Sequence, residues 1–282
     1  MIYEKRKIGP NDLRRFEVYL RQEERSAATL EKYIRDVRGF IEHIGSKEPS
    51  KQSVLDYKAM LGSSYAVASA NSMIAAINGF IRFCGWHDFC VKQFKVQRTI
   101  YCLDEKELSR AEYVRLLDAA NRKKNRRLNL RIQTICATGI RVSELAYITV
   151  EAVQHGEAIV TCKGKNRRVF IVPELKKKLL RYVQEQQIKT GAVFVTRNGN
   201  PISRHAVWRE MKSLCEDGGV SPTKVFPHNL RHLFARTFYG IEKDIAKLAD
   251  ILGHASINTT RIYIVTTGEE HKRKLEHMRL VV

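Results

Sequence analysis

Apolar residues recur every three or four positions through the first ninety residues of the chain, which is the spacing of one helix face. Over 11–44 this pattern predicts two helices, and Ser26 is a suitable cap for the second. Two further helices are predicted at about 51–61 and 66–84. The first part of the chain is therefore expected to be a small all-helical domain.

The periodicity is lost between 93 and 108, where the sequence is charged and fits neither a helix nor a strand. We interpret this segment as an extended linker between a domain at 1–92 and a second domain at 109–282. The helical period returns in the second domain, where helices are predicted at 110–120, 128–137, from about Val142, and at 174–189, 203–216, 228–239 and 242–251.

Two stretches of alternating or β-branched residues, 157–162 and 167–172, predict an antiparallel hairpin within the second domain. The turn between them would be Lys163-Gly164-Lys165-Asn166 and would contain two lysines. A short strand is also predicted at 193–195. Many helices around a small antiparallel sheet place the chain in the mainly α (α+β) class.

The chain is strongly basic. Its 282 residues include 50 Lys and Arg against 30 Asp and Glu, which gives a formal net charge of +20. Such an excess indicates a polyanionic partner, most often nucleic acid, although an inert basic surface would have the same composition. Basic residues occur in both halves of the chain, which favours a broad contact surface over a disordered basic arm.

The six cysteines are scattered and form no CxxC pair, so we interpret them as thiols of a reducing cytosol and expect no metal site. The first residues lack the apolar core of a secretion signal, and no run of about 18 apolar residues occurs. We therefore expect a cytoplasmic protein that has no membrane partner.

The residues suited to catalysis are concentrated in three blocks: ATGIRVSEL (137–145), PHNLRHLFA (227–235) and LGHASINTTRIY (252–263). Together the blocks contain two arginines, two histidines and a late tyrosine: Arg141, His228, Arg231, His254 and Tyr263. A tyrosine oxygen can attack phosphorus and stay attached, while guanidinium groups match phosphate oxygens. Each residue alone has an ordinary structural explanation, but their joint occurrence in a basic chain predicts phosphodiester chemistry.

Three further residues extend this candidate site. Glu144 follows Arg141 by three positions and could orient its guanidinium. A lysine of the predicted hairpin turn, Lys163 or Lys165, could give a proton to a leaving 5′ oxygen. Spacing alone does not choose between the two lysines.

The three blocks, together with Lys163, resemble the motifs of the tyrosine recombinase family, the lambda-like phage integrases. The resemblance covers essentially the whole chain and is closest to Xer-like recombinases and compact mobile-element integrases. It implies that 1–92 is a helical core-binding (SAM-like) domain and that 109–282 is the catalytic domain with a C-terminal exchange helix. It also implies that the two domains form a C-shaped clamp on DNA.

The resemblance implies a role for each residue that would touch the scissile phosphate. Arg141 and Arg231 would clamp this phosphate, and Glu144 would support the Arg141 region. His228 and His254 would hydrogen-bond the phosphate and manage the proton of the tyrosine.

The resemblance also implies that Tyr263 forms a 3′-phosphotyrosine and releases a 5′-hydroxyl, with Lys163 rather than Lys165 as the general acid. No metal and no cofactor would be needed, because the bond energy is kept in the protein–DNA link. The sequence departs from the family pattern at Leu233, where relatives often have Ser or Thr, and at Cys162, before the lysine.

The implied partner is double-stranded DNA with inverted-repeat core sites, bound by a homo-tetramer on synapsed DNA or by a heteromer with a related recombinase. The tail after Tyr263 has an apolar run that would dock on a neighbouring protomer or, alternatively, on its own domain: Leu275, Met278 and Leu280. Integration, excision, inversion and dimer resolution all remain open. Two alternative functions are a type IB topoisomerase-like enzyme and a DNA-binding accessory protein without catalysis.

Overall fold

A computed structural model of the chain describes residues 7–9, 11–96, 107–162, 165–196, 198–254, 256–263 and 276–277. Within the hairpin, the side chains of Cys162 and Lys165 are not described. The chain divides into two compact units, 1–98 and 99–282. In the described part of the chain, no helix has the length and apolar character needed to cross a membrane.

The first unit is helical. Its elements are α1 (Asp12–Gln22), α2 (Ala27–Ile44), α3 (Lys51–Ser64), α4 (Val67–Phe83) and a 3-10 turn at His87–Phe89. Ser26 accepts the Thr29 N–H, which confirms it as the cap of α2, and Ser50 caps α3 in the same way. The apolar faces of these helices pack around Phe16 and Phe40, and this packing stabilises the unit.

The second unit packs helices against one face of a two-stranded sheet, and the other face, with Ile159 and Phe170, is exposed. Its helices are α5 (Arg110–Arg122), α6 (Arg126–Thr138), α7 (Val150–His155), α8 (Pro173–Glu185), α9 (Arg204–Lys212), α10 (Cys215–Gly218), α11 (Pro227–Glu242), α12 (Ile245–Leu252) and α13 (Ile257–Arg261). Short 3-10 helices lie at Val142–Tyr147 and Pro222–Lys224. One apolar core includes Leu116, Ile135 and Phe194.

The hairpin is formed by β1 (Glu157–Cys162) and β2 (Lys165–Phe170). Cys162 pairs with Lys165, so the predicted four-residue turn is wrong and only two residues connect the strands. Lys165 therefore belongs to β2. The predicted strand at 193–195 is also wrong, because its segment forms only single bridges while Val193 and Phe194 are buried in the core.

Several helices differ from the predicted ones, and three of these differences have a local reason. The helix predicted at 203–216 is interrupted after α9, where the Ser213 hydroxyl donates to the Glu210 carbonyl and competes with the helical pattern. After α11, Lys243 has a left-handed φ of 59°, and Asp244 then caps α12. The segment from Val142 is a 3-10 helix, so its side chains follow a tighter spacing than predicted.

Candidate active site

Arg231 is the most deeply buried of the predicted site residues, with 1 % of its surface exposed. Its Nη1 donates to the carbonyl of Gly139 at 2.5 Å, and its Nη2 donates to the carbonyl of Leu252 at 2.7 Å. These carbonyls terminate α6 and α12, so the guanidinium of α11 joins the ends of two other helices. Burial and the nearby charge of Arg141 lower the pKa of Arg231 to about 10, which still leaves it protonated at neutral pH.

Arg141 is held at the start of a 3-10 helix by Glu144. The Arg141 backbone N–H donates to Glu144 Oε2 at 2.7 Å, and its Nη1 donates to Oε1 at 2.9 Å. The carboxylate is buried, whereas 37 % of the Arg141 side chain is exposed. The guanidinium is therefore fixed by Glu144 through Nη1, while the side chain as a whole remains accessible to a ligand.

His254 follows the left-handed residue Gly253, which ends α12. Its Nε2 lies 3.0 Å from Arg231 Nη2, and its Nδ1 lies 2.8 Å from the hydroxyl of Thr260. A guanidinium can only donate, so Nε2 is the acceptor and the imidazole proton belongs on Nδ1. Desolvation, followed by the charges of Arg231 and Arg141, lowers the pKa of His254 to about 4, which agrees with a neutral ring.

Tyr263 follows α13 and is buried among imidazole rings. Its hydroxyl oxygen lies 3.3 Å from His228 Nε2. The centroid of its ring lies 5.3 Å from that of His228, 4.3 Å from that of His232 and 5.2 Å from that of His254. The guanidinium carbon of Arg231 lies 6.0 Å from the same centroid. The phenol is therefore enclosed by His228, His254 and Arg231, which the motifs singled out, and by His232, which they did not.

His228 lies in the first turn of α11, which begins at Pro227. The residue has an exposed surface, but its ring packs against those of His232 and Tyr263. Desolvation of the ring is the largest effect on its pKa, and the charges of His232 and Arg231 act in the same direction. Together they lower the pKa of His228 to about 4, so the neutral ring can accept a phenolic proton.

An open cavity of about 740 Å³ lies directly beside these groups. Its lining includes Arg141, His228 and Arg231, together with Arg204 and Trp208 of α9. Cationic and imidazole groups at the wall of an open cavity suit an anionic ligand of phosphate type. Among the described residues, no group of His, Cys, Asp and Glu side chains has the arrangement to hold a metal ion.

The structure brings together six of the predicted residues in the second unit: Arg141, Glu144, His228, Arg231, His254 and Tyr263. Lys163 lies outside the described residues. Lys165 is placed in β2 by its backbone, and its side chain is not described. The tail with Leu275, Met278 and Leu280 also lies outside the described residues.

The motifs did not single out two residues that contact the site. Arg167 of β2 forms an ion pair with Glu144. The sequence feature that could have indicated it is a charged residue on the apolar face of an alternating strand. The ring of His232 packs against that of Tyr263, and its Nδ1 lies 3.3 Å from Glu107 Oε1. The sequence feature that could have indicated His232 is its position one helical turn after His228 in the same block.

Comparison with known proteins assigns the chain to a family. The family model described as the phage integrase family matches 106–270. The tyrosine recombinase XerA of Thermococcus kodakarensis is 30 % identical, over 96 % of this chain and 97 % of its own length. XerA of Pyrococcus furiosus is 28 % identical, over 95 % of this chain and 94 % of its own length.

Solved structures show the same fold. A crystal structure of XerA recombinase is 25 % identical and matches with a TM-score of 0.55, covering 96 % of this chain and 99 % of that one. A lambda integrase (75–356) dimer bound to a COC′ core site matches with a TM-score of 0.74 at 17 % identity, covering 92 % of this chain and 95 % of that one. These likenesses confirm a mainly helical chain with a small antiparallel sheet. The chain therefore belongs to the phage integrase family, and it is a tyrosine-type site-specific DNA recombinase.

Proposed function

We propose that Tyr263 is the nucleophile that cleaves DNA. Its oxygen attacks the scissile phosphorus, the bond from phosphorus to the 5′ oxygen breaks, and a 3′-phosphotyrosine forms. The phenolic proton passes to His228, whose Nε2 lies 3.3 Å away. Attack on phosphorus by a 5′-hydroxyl from another strand then releases the tyrosine and rejoins the DNA. The contact between Tyr263 and His228, in a cluster with Arg231, is the observation that carries this proposal.

The scissile phosphate is proposed to lie between Arg141 and Arg231, with His254 beside it. Arg141 lines the cavity, and its side chain is partly exposed. The buried Nε of Arg231 has no hydrogen-bond partner among the described residues, and a phosphate oxygen would give it one. Donors already fixed by Glu144 and by helix-end carbonyls need little rearrangement when charge builds on the phosphate.

The leaving 5′ oxygen requires a proton, and we assign its donor to Lys163 of the hairpin turn, with Lys165 as the alternative. Replacing this bridging oxygen by sulfur separates the two lysines. A thiolate leaves without a general acid, since a thiol has a pKa of roughly 8.5. The variant of the true donor, Lys163→Ala or Lys165→Ala, should cleave normal DNA slowly and sulfur-substituted DNA at the wild-type rate.

The proposed partner is duplex DNA with inverted-repeat core sites. The net charge of +20 supports a polyanionic partner. Among the structural neighbours, lambda integrase is bound as a tetramer to a Holliday junction, and XerH is bound to its difH substrate. We propose the same for this chain, as a homo-tetramer or as a heteromer with a related recombinase. In this proposal 1–92 binds the core site, 93–108 is a linker, and 109–282 catalyses cleavage.

Covalent capture tests the nucleophile. The purified chain is incubated with DNA fragments from its own gene neighbourhood and quenched with denaturant, and the ends of protein-linked DNA are sequenced. Wild type and Tyr239→Phe, a matched tyrosine of α11, should give adducts at a defined inverted repeat. Tyr263→Phe should bind DNA and give none. An adduct in Tyr263→Phe would overturn the assignment.

The same preparation separates the alternative functions. A topoisomerase-like enzyme would relax supercoiled DNA without exchanging strands between sites, and the recombinase relatives do not favour this alternative. An accessory protein would bind the repeat and form no covalent product. Joined products from two differently labelled sites are the expected result.

A further inference from the structure

Arg167 is a charged residue on the buried face of a strand. It pairs with Val160 of β1, which is fully buried, and shares its sheet face with the buried Val169. Only 11 % of its side chain is exposed, whereas 71 % of the neighbouring Arg168 side chain is exposed on the opposite face. A cation in this position loses hydration and requires compensating partners.

The guanidinium of Arg167 joins three segments of the second unit. Its Nη2 donates to Glu144 Oε2, the same carboxylate that holds Arg141. Its Nη1 donates at 2.8 Å to the carbonyl of Ile251, in the last turn of α12, three residues before His254. The hairpin, the Arg141 turn and the His254 turn are therefore connected through one side chain.

Gly253 fits closely against this side chain. A Cβ at position 253 would lie 2.5 Å from Arg167 Cδ and 2.9 Å from Arg167 Nε. Contacts of that length are repulsive, so the arginine occupies the space that a side chain at 253 would need. The residue immediately before His254 is thus in van der Waals contact with Arg167, and the two set each other's position.

Arg167 is poorly placed to bind the phosphate itself. Its Nε, like that of Arg231, has no hydrogen-bond partner among the described residues, but Arg167 does not line the cavity that Arg141 and Arg231 line, and both of its terminal nitrogens donate within the protein. We propose that Arg167 is a positioning residue, which holds the Arg141 turn and the His254 turn at a fixed spacing across the scissile phosphate. This inference rests on the proposed function of those two residues. A buried ion pair that also binds a helix-end carbonyl defines geometry more than it adds stability.

The test is Arg167→Lys, which keeps the charge but gives one ammonium group for two separated acceptors. We expect single-turnover adduct formation at saturating DNA to fall about 10- to 100-fold, since a displacement near 1 Å can have that effect on a rate. The dissociation constant for DNA should stay within about twofold, because no group that contacts DNA is changed. The matched control is Arg168→Lys, the same substitution at the exposed neighbour, which should cleave at the wild-type rate.

DNA with sulfur as the bridging 5′ atom shows how Arg167 acts. A defect that persists on this DNA supports positioning of the phosphate-binding turns, because the thiolate needs no general acid. Rescue by the sulfur would mean that Arg167 acts through the hairpin lysine, and would overturn the proposal.

In a second variant, Gly253→Ala, the added Cβ displaces the Arg167 stem and also strains the left-handed backbone before His254, so the rate loss should equal or exceed that of Arg167→Lys. Wild-type rates in both Arg167→Lys and Gly253→Ala would overturn the inference alone. A wild-type chain that forms no adduct would overturn the proposed function as well.

Discussion

Replacing Arg231 by lysine should separate the catalytic part of this side chain from its charge. The guanidinium donates to the carbonyls of Gly139 and Leu252 and to His254, and its Nε remains for the phosphate. The lysine ammonium group has its three donors on a single nitrogen. It cannot reach all the acceptors that the planar guanidinium contacts through separate nitrogens. Arg231→Lys must therefore leave a helix-end carbonyl or the phosphate without its donor.

The two effects of Arg231→Lys have different magnitudes. One buried carbonyl without a partner costs about 1–3 kcal/mol of folding free energy. One missing donor to a transition-state oxyanion costs about 2.7–4 kcal/mol, which is a fall of about 100- to 1,000-fold in the cleavage rate. Catalysis should therefore suffer more than stability, and the variant should remain folded at 25 °C if the chain has ordinary stability.

Single-turnover adduct formation at saturating DNA measures the rate, and urea titration measures the free energy of unfolding. Arg181→Lys, at an exposed position of α8, is the matched control and should match wild type in both measurements. A cleavage rate for Arg231→Lys within threefold of wild type would show that the fork geometry of Arg231 does not matter. A rate loss explained by unfolding alone would refute the assignment of its Nε to the phosphate.

Two further predictions concern pH and the backbone. The pKa of His254 is about 4 in the folded chain and near 6.5 when unfolded, so the unfolded state takes up its proton first as pH falls. The unfolding free energy should therefore decrease between about pH 6.5 and pH 4, and His254→Asn should reduce that slope in urea titrations; an unchanged slope would contradict the neutral histidine. Gly139 and Gly219 both have left-handed φ angles, but only at Gly139 would a Cβ contact another side chain, Phe234, at 2.5 Å. Gly139→Ala should destabilise the fold by about 2–4 kcal/mol and Gly219→Ala by about 1 kcal/mol, and equal losses would show that the contact is relieved freely.

Helices could be predicted from the sequence wherever the local signal was complete. Ser26 accepts the backbone N–H group that its position indicated, and α2 and α5 begin where expected. The prediction of a strand at 193–195 was wrong because three consecutive apolar residues can pack in a core without pairing with another strand. The length of the hairpin turn was predicted wrongly because the alternation of residues does not determine the register of the two strands, and in the actual register Cys162 pairs with Lys165.

The site shows the same division between local and distant information. Arg141, His228 and Tyr263 could be predicted as site residues because each lies within a short motif of residue types suited to phosphodiester chemistry. Arg167 was missed because its partners are distant in sequence: Glu144 is 23 residues away and Ile251 is 84 residues away. Such positions come into contact only in the folded chain. The alternation of a strand shows which of its residues are buried, but it does not identify the residues that pack against them.

Charge explains how the free chain could keep Tyr263 inactive. The arginines that would bind a phosphate are the same groups that, after desolvation, lower the pKa of His228 and His254 to about 4. A histidine with that pKa is a weak base at neutral pH. A phosphate anion between Arg141 and Arg231 would offset their positive potential and raise the basicity of both rings. In the proposed mechanism, His228 would therefore become a better proton acceptor for Tyr263 once the DNA backbone is in place, and this would couple activation of the nucleophile to binding of its substrate.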